Sequence, residues 1–222
     1  MAATTVVLPC PRARDGQLGP LVEAVLASLE ADAADPSDPV LGVDAPIEPE
    51  VGHSVAGVLS LRLPESWVPA RPPRTPEHVS GQDFVLDVDG EIAALLRVRF
   101  STQPLSPDEQ VGILLAPFER DAGIALGPVI EETRPGDLPG LVDVRLGWRM
   151  GSRRGAPAGD DAPVEAWVLD GTAPSSGGGR SAAGARVQIA LVAADRRADP
   201  FRWAWGRTGL DVAAETLRVR WP

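Results

Sequence analysis

The groups in this chain able to do chemistry are carboxylates, arginines and tryptophans, and their spacing decides what each can do. Glu131-Glu132 and Asp160-Asp161 are adjacent pairs. Neighbours on a strand point to opposite faces, so neither pair is arranged to share a proton as an acid/base couple. Asp87-Val88-Asp89-Gly90 has the opening of a calcium loop but lacks the Asp or Asn of position 5 and the closing glutamate. Between two alternating stretches it reads as a type I′ hairpin turn. His53, His78 and the single cysteine, Cys10, lie too far apart in sequence for a zinc set. No metal and no cofactor is expected. Lysine, asparagine and tyrosine are absent, which removes Schiff-base and P-loop lysines and a tyrosine acid. All 21 basic residues are arginine, a composition that fits the codons of a GC-rich bacterial genome.

Gly52-His53-Ser54-Val55-Ala56 resembles the Gly-x-Ser-x-Gly nucleophile elbow of the α/β-hydrolases in its Ala-ended form. That resemblance implies a strained serine, Ser54, between a buried strand and a helix, with an acid and a histidine downstream. The surroundings differ. Residues 46–51 are rich in Pro and Glu, the next stretch reads as a strand ending at Pro64, and His78 follows only 24 residues on. A loop serine opening a strand is the plainer reading.

Tryptophans and arginines sort by parity. Trp148, Trp203, Trp205 and Trp221 fall on the apolar parity of stretches that read as strands. With Trp167 they form either a stacking platform for sugars or bases, or core; the parity favours core. Arg97, Arg99, Arg145, Arg149, Arg218 and Arg220 fall on the polar parity, as do Arg62 and Arg202. If those strands are neighbours, the first six make a guanidinium-rich face suited to bidentate recognition of an acidic partner or a phosphorylated ligand. Like charges side by side on a sheet repel. The alternative is that Asp83, Glu91, Asp143 or the acidic N-terminal segment supplies the counter-charge from within.

The elements that carry these residues follow from hydrophobic period. Leu59–Leu63, Phe84–Val88, Ile92–Phe100, Val142–Met150, Phe201–Trp205 and Leu217–Trp221 alternate apolar with polar, the mark of half-buried antiparallel strands. Thr4–Leu8, Val164–Leu169 and Val187–Val192 read as shorter strands. Leu18–Ala33 repeats at helical spacing and ends at Asp35-Pro36. A short helix is expected from Pro107 to Asp121, with Ser106 and Glu109 as a capping box and Pro117 breaking it after about two turns. The expected fold is mainly β or α+β. It is an antiparallel sheet or sandwich of about seven to eight strands, with one main helix near the N-terminus, in a single domain of residues 1–222. Residues 34–52 form an acidic Pro-rich loop and residues 172–185 a flexible Gly/Ser-rich loop.

Charge and composition narrow the function. The net charge is −10, and nine acids without one arginine occupy residues 15–61; this argues against nucleic acid. No apolar run is long enough to span a bilayer, no signal peptide is evident, and a lone cysteine forms no internal disulfide, so no membrane association and a cytoplasmic location are expected. The reading that follows is a non-catalytic protein-interaction or assembly component of a larger bacterial complex. Its partner is a protein, docked on the Arg-rich face or by strand addition at a sheet edge, and a homo-oligomer is possible. An enzyme using Asp87, Asp89, Glu131, Glu132 or Asp160 with arginines on a phosphate or acyl ester is the second reading. An acidic immunity-type or regulatory module that neutralises a basic partner is the third.

Overall fold

A computed structural model describes residues 47–70, 75–103, 105–136, 138, 140–154, 161–174 and 185–220, all within the compact unit Val43–Pro222. It is mainly β. The strands are β1 (Glu50–Val55), β2 (Leu59–Pro64), β3 (Trp67–Pro69), β4 (Val79–Val88), β5 (Glu91–Ser101), β6 (Ile124–Thr133), β7 (Val142–Arg153), β8 (Ala162–Ala173), β9 (Ala185–Ala194) and β10 (Arg218–Val219). Seven pair as one antiparallel sheet in the order β3-β4-β5-β9-β8-β7-β6, and three as a small sheet β1-β2-β10.

The β4–β5 hairpin turns where Asp89-Gly90 predicts it. Both residues have positive φ, 57° and 82°, and Asp87 Oδ1 accepts a bond from Gly90 N. A type I′ turn needs that left-handed backbone, which glycine and aspartate tolerate. Two short helices, α1 (Pro107–Gln110) and α2 (Ala116–Ala122), flank a π-helical turn at Val111–Leu115. Ser106 and Glu109 form the expected capping box: Ser106 N donates to Glu109 Oε2 and Glu109 N to Ser106 Oγ. Pro117 does not end the helix; it sits in the first turn of α2, where its missing N–H is no loss, after the π turn has widened the spiral.

Two expectations are corrected here. The main helix of the described residues is α3 (Pro200–Thr216), near the C-terminus rather than the N-terminus; Leu18–Ala33 and Thr4–Leu8 lie outside the described residues. The stretch Phe201–Trp205, expected as a strand, is the first part of α3. Asp199 caps it by accepting from Arg202 N, and Pro200 pre-sets its first turn. The stripe of α3 buried against the sheet is Ala204, Gly206, Gly209, Leu210, Ala213 and Ala214. Small residues leave almost no hydrophobic period to read, yet they let the helix lie close to the sheet. Strands β3 and β6 were also unread, the first for its three residues and the second for its exposed pattern broken at Gly127-Pro128. Glu50, Val51 and Gly52, assigned to the acidic loop, open β1. Thr172, Ala173 and Ala185, assigned to the Gly/Ser loop, belong to strands, with Ala173 paired to Ala185.

Two cores follow from the two faces of the large sheet. On one, α3 and the small sheet pack over Trp67, Phe84, Leu96, Trp167, Ile189 and Leu191. On the other, Leu114 and Phe118 from the α1–α2 segment cover Ile124, Val164, Ala166, Ala190 and Val192. Strands β5 and β9 are therefore buried on both sides along most of their length.

His53 on β1 packs edge-on against Phe84 at 4.9 Å, with its buried Nε2 left without a partner. Burial holds its pKa below the ordinary value of about 6.5. A cation depressed in this way opposes folding only when it must be charged. Stability is thus unaffected by His53 above about pH 6.5 and falls as the pH drops from there through the lowered folded value. Urea midpoints of the wild type and His53→Gln at pH 7.5 and 5.5 check this: the acid loss should be smaller in the variant, and an equal loss would refute it.

Candidate functional site

Beside α3 the same sheet face is not fully covered, and strands β6, β7 and β8 leave a cleft of about 610 Å³. Antiparallel register sets its floor. Glu131 lies opposite Trp148, Trp148 opposite Trp167, and Met150 opposite Glu165, and directly opposed residues share a face. The roof is Trp203 and Arg207 of α3, and one end is the turn Asp195–Arg197.

Glu165 organises the cleft. It is only 7% exposed, and its carboxylate is taken up by three donors: Trp148 Nε1 at 3.1 Å and Trp203 Nε1 at 3.3 Å on Oε2, and Arg196 N at 2.9 Å on Oε1. A buried carboxylate is tolerated when N–H groups satisfy it, and here it ties a strand, a helix and a turn together. Trp167 meets Trp203 edge-to-face at 6.1 Å. Arg207 lies 5.3 Å over Trp167 and pairs with Asp211 one turn on; Arg196 lies 5.7 Å over Trp203. Asp195 Oδ1 accepts from Arg197 N and Ala198 N, fixing the turn into α3. Among the described residues the lining holds no serine, cysteine or histidine; its one hydroxyl is Thr133, two residues from Glu131 on β6.

The arginines singled out by parity are distributed as follows. Arg97, Arg99, Arg145 and Arg149 lie on the opposite face of the large sheet from the cleft, whereas Arg218 and Arg220 are exposed at and just beyond β10, by the small sheet. Arg97 and Arg99 are 5% and 2% exposed. Asp83, across from Arg97 on β4, sits 3.7 Å from Arg97 Nε and 2.7 Å from Arg99 Nη1, and Arg97 lies 4.1 Å over the Phe118 ring. Arg99 Nη1 also donates to the Val98 carbonyl. Burial pulls Arg97 and Arg149 below the usual arginine range, Asp83 and Asp121 opposing the shift at Arg97. Arg149 Nη1 reaches the Gly127 carbonyl, and Arg145 is exposed. Of these four only Arg145 is outward and wet; Arg149 is half-buried on β7, and Arg97 and Arg99 are buried on β5.

Other candidates fall out plainly. Ser54 is exposed on β1, which runs through a tight turn into β2 rather than into a helix, so the hydrolase-elbow geometry is not formed. Asp87 and Asp89 belong to the hairpin turn. Glu132 faces away from the cleft that Glu131 lines, and Asp160 lies outside the described residues, as does Trp221. Trp205 packs edge-on against Phe201 at 5.3 Å. Among the described residues, no group of three or more His, Cys, Asp or Glu is placed to hold a metal, and no helix is long and apolar enough to cross a membrane.

Sequence reasoning missed Glu165, although one signal was present. In Val164–Leu169 it occupies the inward parity shared with Trp167 and Leu169, and an inward acid on a buried strand needs donors close by. Trp203 was out of reach because its position depends on α3 being a helix.

No family model matches the sequence, and no curated protein does either. Among solved structures the chain is similar to LpqN, described as involved in cell envelope biogenesis of Mycobacterium tuberculosis. The identity is 13% and the TM-score 0.30, over 77% of this chain and 90% of that one.

Proposed function

We infer that the protein is a non-catalytic interaction component that holds a protein partner through the tryptophan cleft. The observation that carries this reading is the state of Glu165. Its two oxygens already hold two indole N–H groups and a backbone N–H, so most of its acceptor capacity is spent on shaping the cleft. What remains for an occupant is indole surface with arginines around it, the residue types that dominate binding hot spots. The volume, about 610 Å³, accommodates a pair of bulky side chains and lies in the range of ligand pockets.

Strand addition at β6 is the less favoured docking mode. That edge carries Pro128, two register shifts against β7 and the charges Glu131 and Glu132, the devices by which sheet edges resist pairing.

Site-specific photo-crosslinking tests the cleft. A benzophenone amino acid at Thr133, on the cleft rim, should give one discrete adduct in extract of the native host, lost when Trp148→Ala is added. The same group at the exposed Glu215 on α3 should give none. Equal adducts from both positions, or none from Thr133, would remove the cleft as the docking site.

A further inference from the structure

Two of the three cleft indoles already carry a cation supplied by the protein itself, Arg207 over Trp167 and Arg196 over Trp203. An indole face is electron-rich and attracts guanidinium and ammonium groups, more strongly where water is reduced. Trp148 differs. Among the described residues no cation and no ring is stacked on it, while Glu165 fixes its N–H edge. Directly across from it on β6 stands Glu131, which lines the same cleft and has no ion pair or side-chain hydrogen bond among the described residues. A half-buried indole at the cleft with no stacked cation, beside a carboxylate with no ion pair among the described residues, has the composition of a cation receptor.

Resting on the cleft reading above, we propose that Trp148 and Glu131 form the receptor for a cationic side chain, arginine or lysine, of the partner protein. The cation lies over the Trp148 ring and donates to the Glu131 carboxylate, an arginine doing so with its fork. Arg197, in the turn between β9 and α3, is three strands from β6. Among the described residues it has no ion pair with Glu131, and it lies at the other end of the cleft lining, where it can meet a carbonyl or acid of the same segment. The net charge of −10 favours encounter with a basic partner.

The test uses the full chain, ¹⁵N-labelled, and acetyl-Gly-Gly-Xaa-Gly-Gly-amide peptides in which Xaa is arginine, lysine, citrulline or glutamate. The Arg and Lys peptides should shift the Trp148 indole N–H signal (assigned by its loss in Trp148→Phe) along a saturating, salt-sensitive curve. The citrulline and Glu peptides should not. Glu131→Gln, at an exposed position that leaves the fold intact, should weaken the Arg peptide about tenfold. Trp148→Phe keeps a ring face and should weaken it less, read there from the backbone amide signal of Glu131. A citrulline peptide that binds equally well, or Glu131→Gln binding undiminished, would overturn the cation receptor while leaving the cleft as docking site. A Trp148 signal unmoved by the Arg peptide would also overturn it, and the crosslinking at Thr133 decides separately whether the cleft reading stands.

Discussion

Replacing Asp83 by alanine should cost about 3–5 kcal/mol of stability, the scale set by removing one partner from a buried ion pair. Asp83 is the shared counter-charge of two guanidinium groups that are almost wholly out of water. Without it, Arg99 loses its ion-pair partner and Arg97 keeps only Asp121, 3.8 Å away and half exposed. The cost comes from leaving charge desolvated, more than from any net attraction of the native cluster. For a chain of this size the melting temperature should fall by about 10 °C or more. Asp211→Ala, which breaks the exposed Arg207–Asp211 pair, should cost less than about 1 kcal/mol. Replacing the whole cluster with apolar residues of similar volume, Asp83→Leu with Arg97→Met and Arg99→Met, should recover most of the loss. Urea unfolding of these variants is the measurement, and a loss below about 1 kcal/mol for Asp83→Ala would refute the buried-charge account.

Gly209→Ala separates helix propensity from packing. Propensity alone favours alanine by about 1 kcal/mol inside a helix. Packing opposes it, because a Cβ at position 209 would stand 2.5 Å from Cε2 and 2.6 Å from Cζ2 and Nε1 of Trp67. Trp67 is 2% exposed and wedged beneath α3, so its ring cannot swing away and the helix must lift. Overpacking of this kind costs about 1–3 kcal/mol and sometimes more. A net loss of about 2 kcal/mol is expected for alanine, and a larger one for Gly209→Val, whose branched side chain also disfavours the helix. Chemical denaturation reads both. A Gly209→Ala protein more stable than the wild type would show that α3 does not rest on Trp67 through this glycine. Lifting α3 would also shift Trp203 away from Glu165, so the indole environment of the cleft should change in near-ultraviolet circular dichroism.

Local signals were sufficient wherever the chain decides its own conformation over a few residues. The Asp89-Gly90 turn, the strands over Ile92–Phe100 and Val142–Met150, and the Ser106–Glu109 capping box all appear, because backbone sterics and nearest-neighbour hydrogen bonds go far towards setting them. The sequence by itself thus determined an antiparallel, mainly β chain, its tightest hairpin and the parity of Leu96 and Trp148. Tertiary structure alone decided which parity is wet. Arg97 and Arg99 alternate like solvent-facing residues, yet both are buried, Arg97 over the Phe118 ring and both beside Asp83. Phe201-Arg202-Trp203-Ala204-Trp205 alternates like a strand, yet Asp199 and Pro200 start a helix whose sheet-facing stripe is glycine and alanine. The cleft belongs wholly to this second class. Trp148, Glu165 and Trp203 are 17 and 38 residues apart in sequence, and three hydrogen bonds to one carboxylate converge only after strand pairing and helix docking. The period of a sequence reports how each residue faces its own element. Which neighbour covers that face depends on contacts between distant segments, and there the cleft of this protein is built.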